Sequence, residues 1–173
     1  MAPASAPVSL DTTLRVRDTC LCLHAQRAAR ALARRFDAAL RPAGLTNSQF
    51  SLLNGLNGAQ PKTPGAIAAL LGADRTTVTA ALKPLVRQRL AEIRRDSRDG
   101  RVRRIGLTSE GHVRLAVALP LWTRAHAQLE AELGGARLGE MRRDLDALSA
   151  SGRPARAGRS DPARARGARV GNS

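Results

Sequence analysis

The sequence predicts a mainly α-helical chain carrying one small β-hairpin, and three observations support that prediction. Apolar residues recur at helical spacing through most of the chain. One stretch after Leu90 instead reads as two short strands around a turn of Asp, Ser and Gly. Capping and stopping residues punctuate the periodic segments at the positions where helices begin and end. With 173 residues, 43% of them apolar, the chain suits a single domain with a tail.

Residues 1–9 are Ala-, Pro- and Ser-rich and are expected to be disordered. A long helix is predicted from Asp11 to Arg41, with Leu14, Leu21, Ala25, Ala28, Leu32, Phe36 and Leu40 in a stripe close to a heptad. A helix that long needs something to pack along its length, and a partner subunit is a candidate. Pro42 and Gly44 end it. The next helix starts at Thr46, which has capping-box spacing to Gln49, and runs through Phe50, Leu52, Leu53 and Leu56. After a turn over 57–62, Thr63 caps a short helix that has Pro64 at its first position and Gly72 as its stop.

Asp74 caps the following helix, whose apolar stripe is Val78, Ala81, Leu82, Leu85 and Val86. Its other face presents Arg75, Thr76, Thr79, Lys83 and Arg87 with no acid among them. Pro84 falls inside it and removes one backbone donor. Two helices joined by a tight glycine-containing turn, the second with a basic face, form a helix-turn-helix by sequence logic. A strand over Ala91–Arg95, a turn over Asp96–Arg101 and a return strand over Val102–Leu107 then make a basic hairpin. From Arg75 to Arg104 there are ten Lys or Arg residues against three acids, Glu92, Asp96 and Asp99. A solvated charged face accounts for most such runs, but not for a threonine-rich helix face paired with an arginine-tipped hairpin. Thr108 starts a second long helix reading to Leu133, with a bend expected at Pro120; Gly134 and Gly135 break the chain, and a last helix spans Leu138 to Leu148. Residues 151–173 are an Arg-rich, low-complexity tail expected to be disordered.

The net charge of +15 and the pI near 11.8 call for a polyanionic partner: DNA, RNA or an anionic membrane surface. The tail holds six arginines and one acid, so about +10 belongs to the rest of the chain. Aromatic residues are limited to Phe36, Phe50 and Trp122, too few for the stacking platforms that read single strands, so duplex DNA fits better. The first ten residues have neither a basic start nor an apolar core, and the longest apolar run, Leu115–Trp122, is far short of a membrane span. A cytoplasmic protein without a membrane partner is expected, its two cysteines reduced. No phosphate-binding glycine loop, metalloprotease helix or nucleophile elbow is present, and His24, His112 and His126 are scattered without local acid or cysteine partners. No enzymatic activity, metal or cofactor is expected.

The segment DRTTVTAALKPLVRQRL (74–90), followed by Asp99, Arg101, Leu107 and Thr108 in the pattern DxRxxxxxLT, resembles the recognition helix and wing of the MarR family of bacterial transcription regulators. The likeness extends over residues 12–148, including the TSEG that opens the helix after the wing. It implies a MarR-like domain over 10–150, with dimerisation helices over 10–41 and 109–149 and a winged helix-turn-helix over 46–108. It implies a ligand-responsive homodimeric repressor on a pseudo-palindromic operator, in which Arg75, Thr76, Thr77, Thr79 and Lys83 enter the major groove. Arg98, Arg101 and Arg104 of the wing contact DNA, Arg101 as the minor-groove arginine, with Asp99 orienting it by an ion pair. A sequence-independent architectural DNA-binding protein is the alternative from charge alone.

The family's recognition helix normally ends on a glycine where this chain has Arg89, so a helix end without the left-handed cap is expected here. The resemblance also implies a small aromatic or phenolic effector between the dimer helices and the DNA-binding lobe. His24, Arg27, Phe36, Phe50 and Trp122 are the candidate lining, core or interface packing being the other reading of each. Cys22 sits where the organic-hydroperoxide branch has its sensing cysteine, but the positions of the two tyrosines that bond that thiolate hold Phe36 and Asn47. A redox-sensing regulator and simple packing of both thiols thus remain two readings. On an unbroken helix Cys20 and Cys22 point about 200° apart and only Cys20 and His24 share a face.

Overall fold

A computed structural model describes residues 7–151 of the chain. The expectations for residues 1–6 and for the tail from 152 onward lie outside the described residues.

Ser9 accepts the Thr12 amide and caps α1 (Leu10–Thr19), and α2 (Leu21–Leu40) follows after a break at Cys20. The predicted single helix is therefore two. Cys20 takes an extended conformation (φ −71°, ψ 102°) that closes α1 and opens α2, and the His24 ring returns to bond the Asp18 carbonyl at 3.2 Å across the break. The premise that Cys20 and Cys22 lie on one continuous helix falls with it.

A short 3-10 turn over Arg41–Ala43 ends at Gly44, whose φ of +67° favours a residue without a side chain. Then come α3 (Asn47–Leu56), α4 (Pro64–Leu71) and α5 (Arg75–Arg87). Their starts follow the sequence closely. The Thr46 hydroxyl accepts the Gln49 amide while the Gln49 side chain accepts the Thr46 amide, Thr63 accepts from Ala66, and Asp74 accepts from Thr77.

The hairpin pairs β1 (Ala91–Arg95) with β2 (Arg103–Leu107), antiparallel and in the register Ala91↔Leu107 to Arg95↔Arg103. It has a third participant. Lys62, expected to lie in a plain turn, exchanges both backbone bonds with Ile105, at 2.9 and 2.8 Å, and so tethers the loop before α4 to the wing.

Leu52, Leu53 and Leu56 of α3, Ile67 of α4, Val78, Leu82 and Leu85 of α5, and Leu90 and Ile105 of the hairpin form one fully buried cluster. At about 1.5–3 kcal/mol per buried aliphatic side chain, this cluster fixes α5 and the hairpin to each other. Val86, assigned by periodicity to the same stripe, is instead exposed. The helix α6 (Ser109–Leu133) runs unbroken through Pro120 and meets α2, where Arg35 holds Glu132 by two bonds of 2.6 and 2.7 Å. Of the stripe predicted along the N-terminal helix, only Phe36 and Leu40 are buried, while Leu14, Leu21 and Leu32 are exposed in the single chain.

The last helix, α7 (Gly135–Ser151), is a separate unit. It begins three residues before the predicted start, directly after Gly134, and exposes Met141, Leu145 and Leu148 at i, i+4 and i+7. Among the described residues no helix is long and apolar enough to cross a membrane.

Candidate nucleic-acid interface

The exposed face of α5 is built from its cap outward. Asp74 binds the Thr77 amide at 2.8 Å and the Thr77 hydroxyl at 2.7 Å, and these bonds, the amide first, hold its carboxyl below the usual carboxylate range. The Thr79 hydroxyl donates to the Arg75 carbonyl at 2.8 Å. Both hydroxyl protons are thus committed within the helix, so toward a base edge Thr77 and Thr79 offer an acceptor oxygen and a methyl group. That complements base amino groups and thymine methyls. Thr76 keeps its hydroxyl exposed, and Arg75, Lys83 and Arg87 extend from the same exposed surface.

In the wing, Asp96 rather than Asp99 is the organising acid. Its carboxylate accepts the Arg98 amide at 2.8 Å, the Asp99 amide at 3.1 Å and Arg104 Nε at 2.6 Å, while its own amide donates to the Val102 carbonyl. The Arg98 amide and then the Arg104 guanidinium hold its pKa below the ordinary value. Asp99 accepts the backbone amide of Arg101 at 2.9 Å. The expected Asp99–Arg101 ion pair is absent among the described residues, because the carboxylate shapes the turn and leaves the guanidinium free. Arg104 is committed to Asp96 instead of standing open.

The strand register adds a feature that sequence inspection missed. Arg94 faces Arg104, and Arg95 faces Arg103, directly across the ladder. Like charges opposite one another destabilise a hairpin unless an anion intervenes. Glu92 pairs with Arg94 and Asp96 with Arg104, but Arg95 and Arg103 have no acid among the described residues. Centring the hairpin on Asp99 would have shown both pairs. On these two adjoining elements the cations without an ion pair among the described residues are Arg75, Lys83 and Arg87 of α5 and Arg95, Arg98, Arg101 and Arg103 of the hairpin. Between them lies an apolar groove of about 770 Å³ floored by Leu82, Val86, Ile93 and Ile105, with Lys83, Arg87 and Arg103 at its rim. A second cleft, of about 600 Å³, lies between Gln60–Pro61 and the arginines of the wing.

The end of α5 keeps the left-handed cap that Arg89 was expected to abolish. Arg89 has φ +57°, and the Leu90 amide reaches back to the Leu85 carbonyl at 2.9 Å, closing a Schellman turn. Thr108 then locks that turn. Its hydroxyl donates to the Arg89 carbonyl at 2.6 Å and accepts the Gly111 amide, and its own amide donates to the Leu90 carbonyl.

Of the five candidate effector-site residues, three come together. Trp122 stacks on Phe36 and on Phe50, at centroid distances of 6.3 and 6.0 Å, and the ring of His126, which was not anticipated, lies 4.9 Å from that of Trp122. Phe36 and Phe50 are buried, which makes this cluster part of the core. His24 and Arg27 are exposed, and His24 is engaged with Asp18. Cys22 is exposed and its sulfur accepts from Gln26 of the same helix at 3.4 Å.

A helix capped by Asp74 that turns a cation- and threonine-bearing face outward, beside a hairpin rich in arginine, defines a winged helix-turn-helix DNA-binding protein. A profile of the MarR family matches residues 43–102. The chain is 38% identical to the M. tuberculosis transcriptional regulator MosR, solved in complex with DNA, over 76% of this chain and 95% of that one, with a TM-score of 0.70. It is 26% identical to the transcriptional repressor CouR bound to a 23-mer DNA duplex, over 83% and 99% of the two chains, with a TM-score of 0.69. CouR from Rhodococcus jostii RHA1 bound to p-coumaroyl-CoA aligns at 21% identity over 76% and 93%, with a TM-score of 0.66. No curated protein matches the chain. The chain belongs to the MarR family of DNA-binding transcription regulators.

Proposed function

We propose that the protein is a cytoplasmic, non-enzymatic repressor that binds a pseudo-palindromic operator as a homodimer. The observation that carries this reading is the row of cations on α5 and the hairpin that have no acid partner among the described residues, on two elements fixed to each other by one buried cluster. Arg75, Thr76, Thr77, Thr79 and Lys83 read the major groove. Arg98 and Arg101 follow the backbone and minor groove, joined by Arg95 and Arg103, while Arg104 supports the wing through Asp96. The exposed Leu10, Leu14 and Leu21 of α1 and α2, with Val113 and Val117 of α6, support dimerisation through the helices over 10–41 and 109–149. Two-fold symmetry then places the half-sites about one helical turn apart. DNA-bound MosR and CouR are consistent with this partner, and the p-coumaroyl-CoA held by CouR supports a small aromatic or phenolic effector.

The test is binding to the DNA upstream of the protein's own gene at two salt concentrations with excess random-sequence competitor. A discrete complex that survives the competitor is expected. Binding that the competitor abolishes and moderate salt removes would replace this reading with a sequence-independent architectural protein driven by charge.

A further inference from the structure

We propose that Gly65 is a positioning residue for base reading: it leaves open the seat in which the Arg75 guanidinium rests, and so sets how sharply Arg75 discriminates. This rests on the reading of Arg75 as a major-groove residue and deepens it. Gly65 is the second residue of α4, across the turn from the start of α5. A Cβ built on it would stand 3.2 Å from Arg75 Nη2, 3.5 Å from Nε and 3.6 Å from Cζ, so the Nε–Nη2 side of the guanidinium lies across the bare glycine and Nη1 is farther out.

Three further facts give the contact its meaning. The Arg75 guanidinium makes no hydrogen bond or ion pair among the described residues, so the shape beneath it, and not a polar partner, holds it there. Gly65 has none of the positive φ that distinguishes Gly44, Gly72 and Gly134, so its backbone does not require glycine. Glycine is also a poor helix residue, and Gly65 stands inside a helix of only eight residues. The local backbone thus favours almost any other residue at 65, and the guanidinium above supplies the reason for leaving the space empty. Alanine requires that guanidinium to yield by a few tenths of an ångström; leucine excludes it from the seat. A guanidinium displaced from its seat must find its bidentate geometry on guanine from a broader set of rotamers, which lowers discrimination more than general affinity.

The test uses full-length protein and a randomised duplex library to define the preferred site of the unaltered protein. Binding is then measured to that site and to single-base variants for Gly65→Ala, Gly65→Leu, Arg75→Ala and Gly65→Leu/Arg75→Ala, with far-UV circular dichroism and thermal unfolding run on each. Gly65→Leu is expected to reduce preference at the base pair assigned to Arg75 by roughly tenfold, the scale of one bidentate contact. Gly65→Ala should reduce it by less and unfold no earlier than the parent. In the Arg75→Ala background Gly65→Leu should change nothing further.

Undiminished preference in Gly65→Leu, where Arg75→Ala does lose it, would overturn the positioning role and leave the reading of Arg75 intact. A loss that persists in the double variant would also overturn it, by showing that residue 65 acts through something else. If Arg75→Ala weakens all sequences equally, the base-reading role of Arg75 fails and the inference goes with it.

Discussion

Gly111 has the closest approach of the described glycines, and replacing it with alanine tests how α6 is seated on the wing. A Cβ at 111 would stand 2.0 Å from the Leu90 carbonyl oxygen, 3.0 Å from its carbon and 3.4 Å from Leu107 Cδ2. Carbon and oxygen approach no closer than about 3.3 Å without strain, so the two backbones must part by roughly 1.3 Å. The atom in the way is backbone tied into the Schellman turn and bonded by the Thr108 amide at 3.2 Å, so no rotamer change relieves the clash. Overpacking of this kind costs about 1–3 kcal/mol, and weakening the Thr108 bond adds about 1 kcal/mol. The greater helix preference of alanine returns about 0.5–1 kcal/mol. A net loss of about 2 kcal/mol should lower Tm by roughly 4–8 °C, read by circular dichroism at one fixed protein concentration.

Gly139→Ala on α7 is the control. A Cβ there meets only the guanidinium ends of Arg143 at 3.6 Å and Arg142 at 4.0 Å, so the same substitution should leave Tm unchanged or raise it. If Gly111→Ala melts at or above the parent, the close seating of α6 on Leu90 is wrong.

Arg89→Gly relieves a left-handed backbone at φ +57°, and after the entropy cost of glycine it should stabilise the fold by about 0.5–1 kcal/mol, seen as a higher urea midpoint; a lower midpoint would refute the Schellman geometry. Asp96→Asn should loosen the wing turn, weaken operator binding and remove protection of the Arg98 and Asp99 amides in hydrogen exchange, whereas unchanged protection would mean that the turn does not depend on the carboxylate. Because the folded-state pKa of Asp96 is depressed from 3.8, its contribution is complete above that value and disappears as pH falls through the lower folded value, so amide protection in the parent should be flat near neutrality and fall only in strong acid. Arg101→Ala should weaken operator binding severalfold or more while leaving Tm in place, and undiminished affinity would remove the wing tip from the interface.

What could be read from sequence was local. Thr46, Thr63, Asp74 and Thr108 cap helices because a short side chain meets an amide two or three residues on, and that relation is visible in the chain itself. The α5 face and the hairpin were legible for the same reason. The break at Cys20 was not, since the flanking residues contain neither Gly nor Pro and the periodicity runs on across it. Lys62 pairs with a strand more than forty residues away, which no local pattern encodes. Arg89 misled in the opposite way: its type argues against a left-handed cap, but the buried Leu85 and Leu90 on either side hold the backbone there. Asp96 and Asp99 are both plausible partners for an arginine in a line of text, and only the closed turn decides that one grips Arg104 and the other a backbone amide.

Thr108 joins three moving parts at a single pin. Through its hydroxyl and amide it holds the last turn of α5, the root of the hairpin and the first turn of α6. The pin has no slack, since Gly111 is already pressed against Leu90. In a dimer assembled as proposed, any swing of α6 must therefore carry helix and wing with it as one rigid reading head. The distance between two such heads then becomes the adjustable quantity, and a small rotation far from DNA would put both out of phase with the turns of the duplex at once.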